Sequence, residues 1–313
     1  MVSAIGRDRD ARGVFPPEEV AQVKAVACSL PRSQGVPLSR FSRAELHRLV
    51  VERGVTGASA ATIARWLAED ALKPWQHRSW IFPTDPAFLD KAGPILDLYQ
   101  GRFDGKLLHP GEFVICADEK PSIQARARIH ETLPPASHTR GQRVEHSYQR
   151  RGALTYLAAL DIGRRGRRRP RVFGRSEARG GIEPFDRLVW QVMTKEPYRS
   201  ARRVFWIVDN GSSHRGAKSV VRLQTRWRNL ILVHLPVHAS WLNQIEIYYS
   251  IVQRKVLEPN DFDNLADVAR TLNAFEYHWN EIAEPFDWNF TRDDLAALLN
   301  RLAAHEPQLQ LAA

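Results

Sequence analysis

Three acidic side chains stand where the surrounding sequence is apolar. "FVICADEKPS" carries Asp118 directly after an apolar run, "FWIVDNGSSH" carries Asp209 in the same way, and Glu246 lies within "HASWLNQIEIYYSIVQRK", residues 238–255. An Asp at the C-terminal end of a buried strand lies where open α/β sheets place their sites. For either Asp taken alone, a cap on the following polar turn is the simpler reading. Glu246 is harder to dismiss. A helix over 240–256 places Trp241, Ile245, Tyr248 and Val252 on one buried stripe, with Glu246 about 100° away at its edge beside Asn243, Tyr249 and Ser250. A carboxylate there is costly to desolvate without a partner. A cation shared with other carboxylates is one such partner; Arg254 or Lys255 at the surface is another.

Carboxylates from two strand ends and one helix suit a pair of divalent ions about 3.5–4 Å apart, the arrangement that cleaves phosphodiesters. An all-carboxylate donor set selects Mg²⁺ or Mn²⁺ over zinc, so two such ions are the expected cofactors. Other acidic residues fit the set less well. Glu119 follows Asp118 and points to the opposite face of the strand; Asp161 ends a strand and caps its turn; Glu145 precedes a basic stretch and is read as ion-paired.

The elements that must position these groups come from a chain of 313 residues, enough for about two domains. With 43% hydrophobic residues and nine Trp, disorder is excluded, and no apolar run reaches the roughly 18 residues of a membrane span. "MVSAIGRDRDARG" has no export signature, so the chain reads as cytoplasmic. Cys28 and Cys116 lack a metal-ligand pattern and read as buried, reduced thiols. Forty-five Lys and Arg against 35 Asp and Glu give a net charge of +10, which favours a polyanionic partner, with nucleic acid first. The excess is densest in "GRRGRRRPRVFGR", where Arg164, Arg165, Arg167, Arg168 and Arg169 read either as phosphate contacts or as a solvated hairpin loop.

The first third is helical. "SRAELHRLVVERG" is capped by Ser42 and stopped by Gly54, and "SAATIARWLAEDAL" is capped by Ser59. Two short helices joined by a tight turn match helix-turn-helix geometry, which would present Ser59, Thr62 and Arg65 to DNA; an ordinary helical cap is the competing reading. From residue 111 short apolar strands appear at 111–118, 154–162, 169–174, 202–210 and 229–236. Helical patterns follow at 182–195, 216–228, 240–256, 264–283 and 291–304. Three strands followed by strands alternating with helices predict a mixed α/β sheet flanked by helices, preceded by a small all-α domain.

The blocks "ADEKPSIQAR", "IVDNGSSHRG" and "HLPVHASWLNQIEIYYSIVQRK" closely resemble those of the DDE transposases of bacterial insertion sequences, in the IS-six-thirty group of the mariner-like superfamily. The resemblance runs from about residue 17 to 300. It implies an RNase H-like catalytic domain over 111–313, a linker helix over 85–110 and a helix-turn-helix DNA-binding region over 1–84. Asp118, Asp209 and Glu246 match the metal-holding catalytic triad, while Asn210, His214, His238, Trp241 and Asn243 match motif positions read as shaping the site. The implied activity is Mg²⁺-dependent hydrolysis at transposon ends, then strand transfer into a short target such as TA. The implied partners are double-stranded DNA and a second copy of the chain, with no membrane. Members often carry a further N-terminal helix-turn-helix, and this chain reads as starting at the second. Two readings of another kind stay open: a catalytically inactive, domesticated DNA-binding relative, and an RNase H-like nuclease without transposition.

Overall fold

The computed structural model describes residues 15–77, 87–137, 141–164, 166–211 and 216–310. The chain divides into two compact units, Met1–Ile81 and Phe82–Ala313. Among its described residues the first holds three α-helices, α1 (Pro17–Ala27), α2 (Arg43–Glu52) and α3 (Ala60–Glu69). α2 starts with a capping box, in which Ser42 accepts from the Glu45 amide and Glu45 accepts from the Ser42 amide; α3 starts with Ser59 accepting from Thr62 N–H. Val23, Leu46, Val50, Ile63 and Leu67 form its core, and Lys24 bridges α1 to α3 through Asp70 at 2.9 Å. Cys28 ends α1 and is exposed, which corrects the buried reading: its position follows the buried Ala27 by one residue, on the solvent side of the helix end.

The second unit begins with α4 (Phe88–Tyr99) and a two-strand hairpin, β1 (Arg102–Phe103) with β2 (Lys106–Leu107). Strands β3 (Glu112–Ala127), β4 (Gln149–Asp161) and β5 (Arg171–Glu177) follow. After them come α5 (Ile182–Met193), β6 (Arg203–Val208), α6 (Gly216–Arg226) and β7 (Leu230–His234), and the chain closes with α7 (Ile245–Lys255), α8 (Leu265–Ile282) and α9 (Arg292–Gln310). The five long strands form one sheet in the order β5-β4-β3-β6-β7, with β4 antiparallel to both neighbours and β3, β6 and β7 parallel. This is the expected mixed α/β sheet flanked by helices, RNase H-like in strand order, with a helical region before it. Among the described residues no helix is long and apolar enough to cross a membrane.

Alternation along the strands sorts their side chains into two cores. Ile115, Ala117, Trp206 and Val208 pack with Phe185, Leu188 and Val192 of α5 on one face. Cys116, Phe205 and Ile207 pack on the other with Ile95 and Leu96 of α4, Ile245 and Tyr248 of α7, and Leu272 of α8. α4, read from the sequence as a linker helix, contributes fully buried residues to this second core. β3 and β4 also run well past the apolar segments visible in the sequence, as a ribbon whose register shifts near Lys120–Ile123 and Gln124–Arg126.

The edge strand β5 is closed by side chains of α8 instead of by another strand. Asn280 accepts from Val172 N–H at 2.7 Å and donates to its carbonyl at 2.9 Å, and Glu276 accepts from Gly174 N–H at 3.0 Å. The helix thereby satisfies backbone groups that would otherwise invite pairing with another chain. Replacing Asn280 by Ala strands both Val172 groups and is expected to cost about 1–3 kcal/mol. Urea unfolding should show a lower midpoint with an unchanged slope; an unaltered midpoint would remove this account of the edge.

Candidate active site

Asp118 lies within β3 and Asp209 immediately follows β6. The two strands are parallel neighbours, with their last register pair at Cys116 and Ile207. Continued by two residues, that register would set Asp118 opposite Asp209, on neighbouring strands of a kind that lie about 4.8 Å apart. Alternation turns both toward the face covered by α7, since Cys116 and Ile207 lie in that core. Both also accept a nearby backbone amide: Asp118 Oδ1 that of Glu119 within β3, and Asp209 Oδ1 that of Gly211 in the turn after β6, each at 2.7 Å. Glu119 turns to the opposite face, where it accepts from Gly181 N–H ahead of α5.

Glu246 reaches this face by a route that periodicity misses. The helix expected over 240–256 is broken: Ser240–Leu242 form a single 3₁₀ turn, Asn243 is extended at φ −84° and ψ 112°, and α7 starts only at Ile245. The break has a cause. Asn243 is fully buried, and its side-chain amide donates to the Ala117 carbonyl at 3.1 Å, one residue before Asp118. Glu246 therefore occupies the first turn of α7, where the helix dipole favours a negative charge. One turn later, the Tyr249 hydroxyl accepts from Ala158 N–H at 3.0 Å and donates to the Asp118 carbonyl. Ala158 is the cross-strand partner of Asp118. Asn243 and Tyr249, three residues before and after Glu246, thus fasten α7 to the backbone on either side of Asp118. A further latch comes from α4, where the Tyr99 hydroxyl donates to the Leu242 carbonyl at 2.7 Å. Cys116 touches that hydroxyl, and burial pushes its thiol up to about 12, away from any redox or nucleophilic chemistry.

The other expected positions spread around this centre. Asn210 donates to the Leu235 carbonyl at 2.7 Å and so ties the end of β6 to the end of β7. His238 is exposed and takes a left-handed conformation, φ 61°, in the turn before the 3₁₀ segment. Trp241 sits edge-on to Phe290, and its indole Nε1 is buried without a hydrogen-bond partner among the described residues. His214 and Arg165 lie outside the described residues. Ser59 and Arg65 are exposed at the start of α3, where Arg65 donates to the half-buried Thr62.

The Arg-rich turn is divided in its use. Arg168 pairs with the buried Asp161 at 3.2 Å and stacks on Phe113, and Arg164 donates to the Leu108 carbonyl. Both are committed to holding the turn, as is Asp161, which accepts from Gly163 N–H and from the Tyr198 hydroxyl. Arg167 and Arg169 are the exposed members, with Arg169 3.8 Å from Glu284. Glu145 is occupied by the amides of Ile129 and His130. Tyr249 and Lys120 were not singled out from the sequence. The alternation that places Asp118 on the α7 face also places Lys120 there, and a pattern of one turn either side of Glu246 marks Tyr249.

The carboxylates fit a hard divalent cation in donor chemistry and in charge. Burial raises the Glu246 pKa; the ammonium of Lys120 opposes this, and the negative charge of Asp209 adds to it. Among the described residues no three His, Cys, Asp or Glu side chains converge as a ready cage for one ion. Mg²⁺ does not require one, because it is held by one or two carboxylates with water and substrate phosphate completing its shell. The raised pKa has a consequence for stability. An acid whose pKa rises on folding favours the fold in its protonated form, a contribution lost as pH climbs through the raised value. In metal-free buffer Glu246→Gln is therefore expected to melt above the wild type at pH 7, with the gap closing below about pH 4. A variant that melts lower at both pH values would show Glu246 to be stabilised by the fold.

Residues 114–269 match the family model described as DDE superfamily endonuclease. No curated protein matches the chain. Among solved structures it is similar to a Mos1 transposase paired-end complex with left transposon end, at 13% identity and a TM-score of 0.48, over 93% of this chain and 79% of that one. It is also similar to Mos1 mariner paired-end complexes with Mn (13% identity, TM-score 0.49, 93% and 79% covered) and with Mg (14%, 0.48, 96% and 82%). Asp118, Asp209 and Glu246 all fall inside the matched segment. The chain therefore carries a DDE superfamily endonuclease domain and is a DNA-cleaving enzyme.

Proposed function

We propose that the chain is an insertion-sequence transposase of the bacterial IS-six-thirty type, which cuts DNA at the ends of its element and joins the freed ends to target DNA at a TA step. The observation that supports this reading is that Asp118 on β3 and Asp209 directly after β6 stand on neighbouring parallel strands, on the sheet face covered by α7, whose start is fastened by Asn243 and Tyr249. Asp118, Asp209 and Glu246 are assigned as the groups that hold two Mg²⁺ or Mn²⁺ ions. When bound, such a pair activates the attacking oxygen and stabilises the leaving one.

In the first step water adds to the scissile phosphorus and the bond to the 3′ oxygen breaks, leaving a 5′-phosphate and a 3′-hydroxyl. In the second that hydroxyl adds to a target phosphodiester and displaces the target's own 3′ oxygen, so bonds are exchanged without an energy source. The chain's part is positional: a fixed carboxylate set on two rigid strands and one tethered helix holds the reacting groups in line. The first half of α3, with the exposed Ser59 and Arg65 and the half-buried Thr62, is assigned to recognition of element ends, and Arg167 and Arg169 to phosphate contact. His238 and Asn210 are assigned to shaping the turns that border the carboxylates.

The test is a supercoiled plasmid carrying the flanking element ends, incubated with the protein and Mg²⁺ or Mn²⁺. Wild type should nick at the ends, while Glu246→Gln and Asp209→Asn keep DNA binding and fall to background cleavage. Cleavage retained in either variant would remove that residue from the metal-holding set. Joining two ends calls for two copies of the chain, so sizing of the protein with end DNA should give an assembly of at least two protomers; a uniform 1:1 complex would count against strand transfer.

A further inference from the structure

Beside the carboxylates lies a cavity of about 340 Å³ lined by Lys120, Glu246, Tyr249, Ser250, Gln253 and Arg254. We propose that this cavity receives the DNA strand adjoining the scissile phosphodiester, and that Lys120, with Arg254, holds its phosphates and fixes where along the strand the cut falls. The proposal deepens the reading above and rests on it.

Lys120 is the nearer of the two cations. It follows Asp118 by two residues on β3, which puts it on the same face about 7 Å further along the strand. It is half-buried and, among the described residues, its ammonium makes no hydrogen bond or salt bridge; the charge it faces is that of Glu246. Arg164 and Arg168 show the contrast, since their guanidinium groups are used within the protein. Arg254 is exposed and donates through Nε to the Ser250 carbonyl, a bond within its own helix that leaves its terminal nitrogens to other partners. It lies eight residues beyond Glu246, about 12 Å along the α7 axis. One charge recurs per ~3.4 Å of duplex axis on each strand, and successive phosphates lie further apart than this along the strand itself, so the stretch between Glu246 and Arg254 has room for about two phosphates. The floor between them is polar and uncharged: Ser250 returns its hydroxyl to the Glu246 carbonyl, and Gln253 is turned to Glu258. A groove with Glu246 at one end and two cations along its side suits a polyanion whose reacting phosphate must sit at the carboxylates. Lys serves there as a point charge that needs no fixed approach geometry.

The experiment measures binding of the full chain to a short duplex of the element end, without divalent metal, over a series of salt concentrations. Each neutralised phosphate contributes about −0.9 to the slope of log K against log salt. Lys120→Ala should make the slope shallower by about 0.9, Lys120→Arg should restore it, and Lys120→Ala with Arg254→Ala should change it about twice as much. Duplexes carrying one uncharged methylphosphonate at successive positions supply the second readout. One position next to the cut should weaken binding of the wild type and leave Lys120→Ala unaffected. If the wild type binds with a salt-dependent slope that Lys120→Ala does not alter, and no methylphosphonate position distinguishes the two, Lys120 acts only on Glu246 and the groove assignment falls while the function stands. If the wild type shows no salt-dependent binding to the duplex, both fall. Equal thermal melting of the three Lys120 forms separates these outcomes from misfolding.

Discussion

The arrangement depends on how one helix is tied to one strand. The packing of α7 onto the sheet is apolar and, as such, tolerant of sliding, because hydrophobic contact has no preferred direction. Two hydrogen bonds remove that freedom. Asn243 reaches the Ala117 carbonyl and Tyr249 the Asp118 carbonyl, and the two tethers lie one turn to either side of Glu246. The Asn243 bond is buried and the Tyr249 bond partly so, and losing either is expected to cost about 0.5–1.5 kcal/mol. The carboxylate on the helix is thereby set against the carboxylate on the strand by groups that bear no charge.

The same geometry concentrates negative charge in a half-buried place. Asp209 and burial both work against ionised Glu246, and Lys120 and the start of α7 work in its favour. A metal-free protein with this arrangement carries an electrostatic penalty that its binding partners relieve, which is the usual relation between an active site and the stability of its fold. It also bears on why β3 is so long. The strand must supply core residues up to Ala117, a carboxylate at Asp118 and a cation at Lys120 in one continuous register, and β4 pairs with it unbroken from Ile115 to Lys120 before the first register shift.

The sheet was legible in the sequence because its strands are apolar runs closed by Asp, Asn, Gly or Pro, and the helices of the catalytic unit followed from 3.6-residue spacing. The boundaries failed where polarity did not track structure. Residues 119–127 and 149–153 belong to strands yet are largely polar, since the ribbon they form is exposed on at least one side. The hairpin of β1 and β2 is too short to carry a pattern. The start of α7 was placed five residues early because Trp241 and Ile245 keep helical spacing across a break made by a single buried amide, which no periodicity registers. For the site, the acidic residues and their faces could be read from alternation. Spacing marks Tyr249 only as a neighbour of Glu246 and does not mark Tyr99, because the roles of both lie in hydrogen bonds between elements 91 and 143 residues apart in sequence.

Charge was the most ambiguous signal of all. The densest cationic run, residues 163–175, invites a nucleic-acid reading, yet two of its arginines are spent on a buried aspartate, an aromatic face and a backbone carbonyl. The turn needs them: Asp161 is almost wholly buried at the end of β4, and an unpaired charge there would be costly. Lys120, by contrast, stands in an unremarkable stretch of sequence beside a Glu and a Pro, and its significance comes from the strand face it occupies and the carboxylates it faces. The value of a basic residue to a phosphate depends on what else its charge must satisfy, and that is decided by the fold around it, not by the number of cations nearby in the chain.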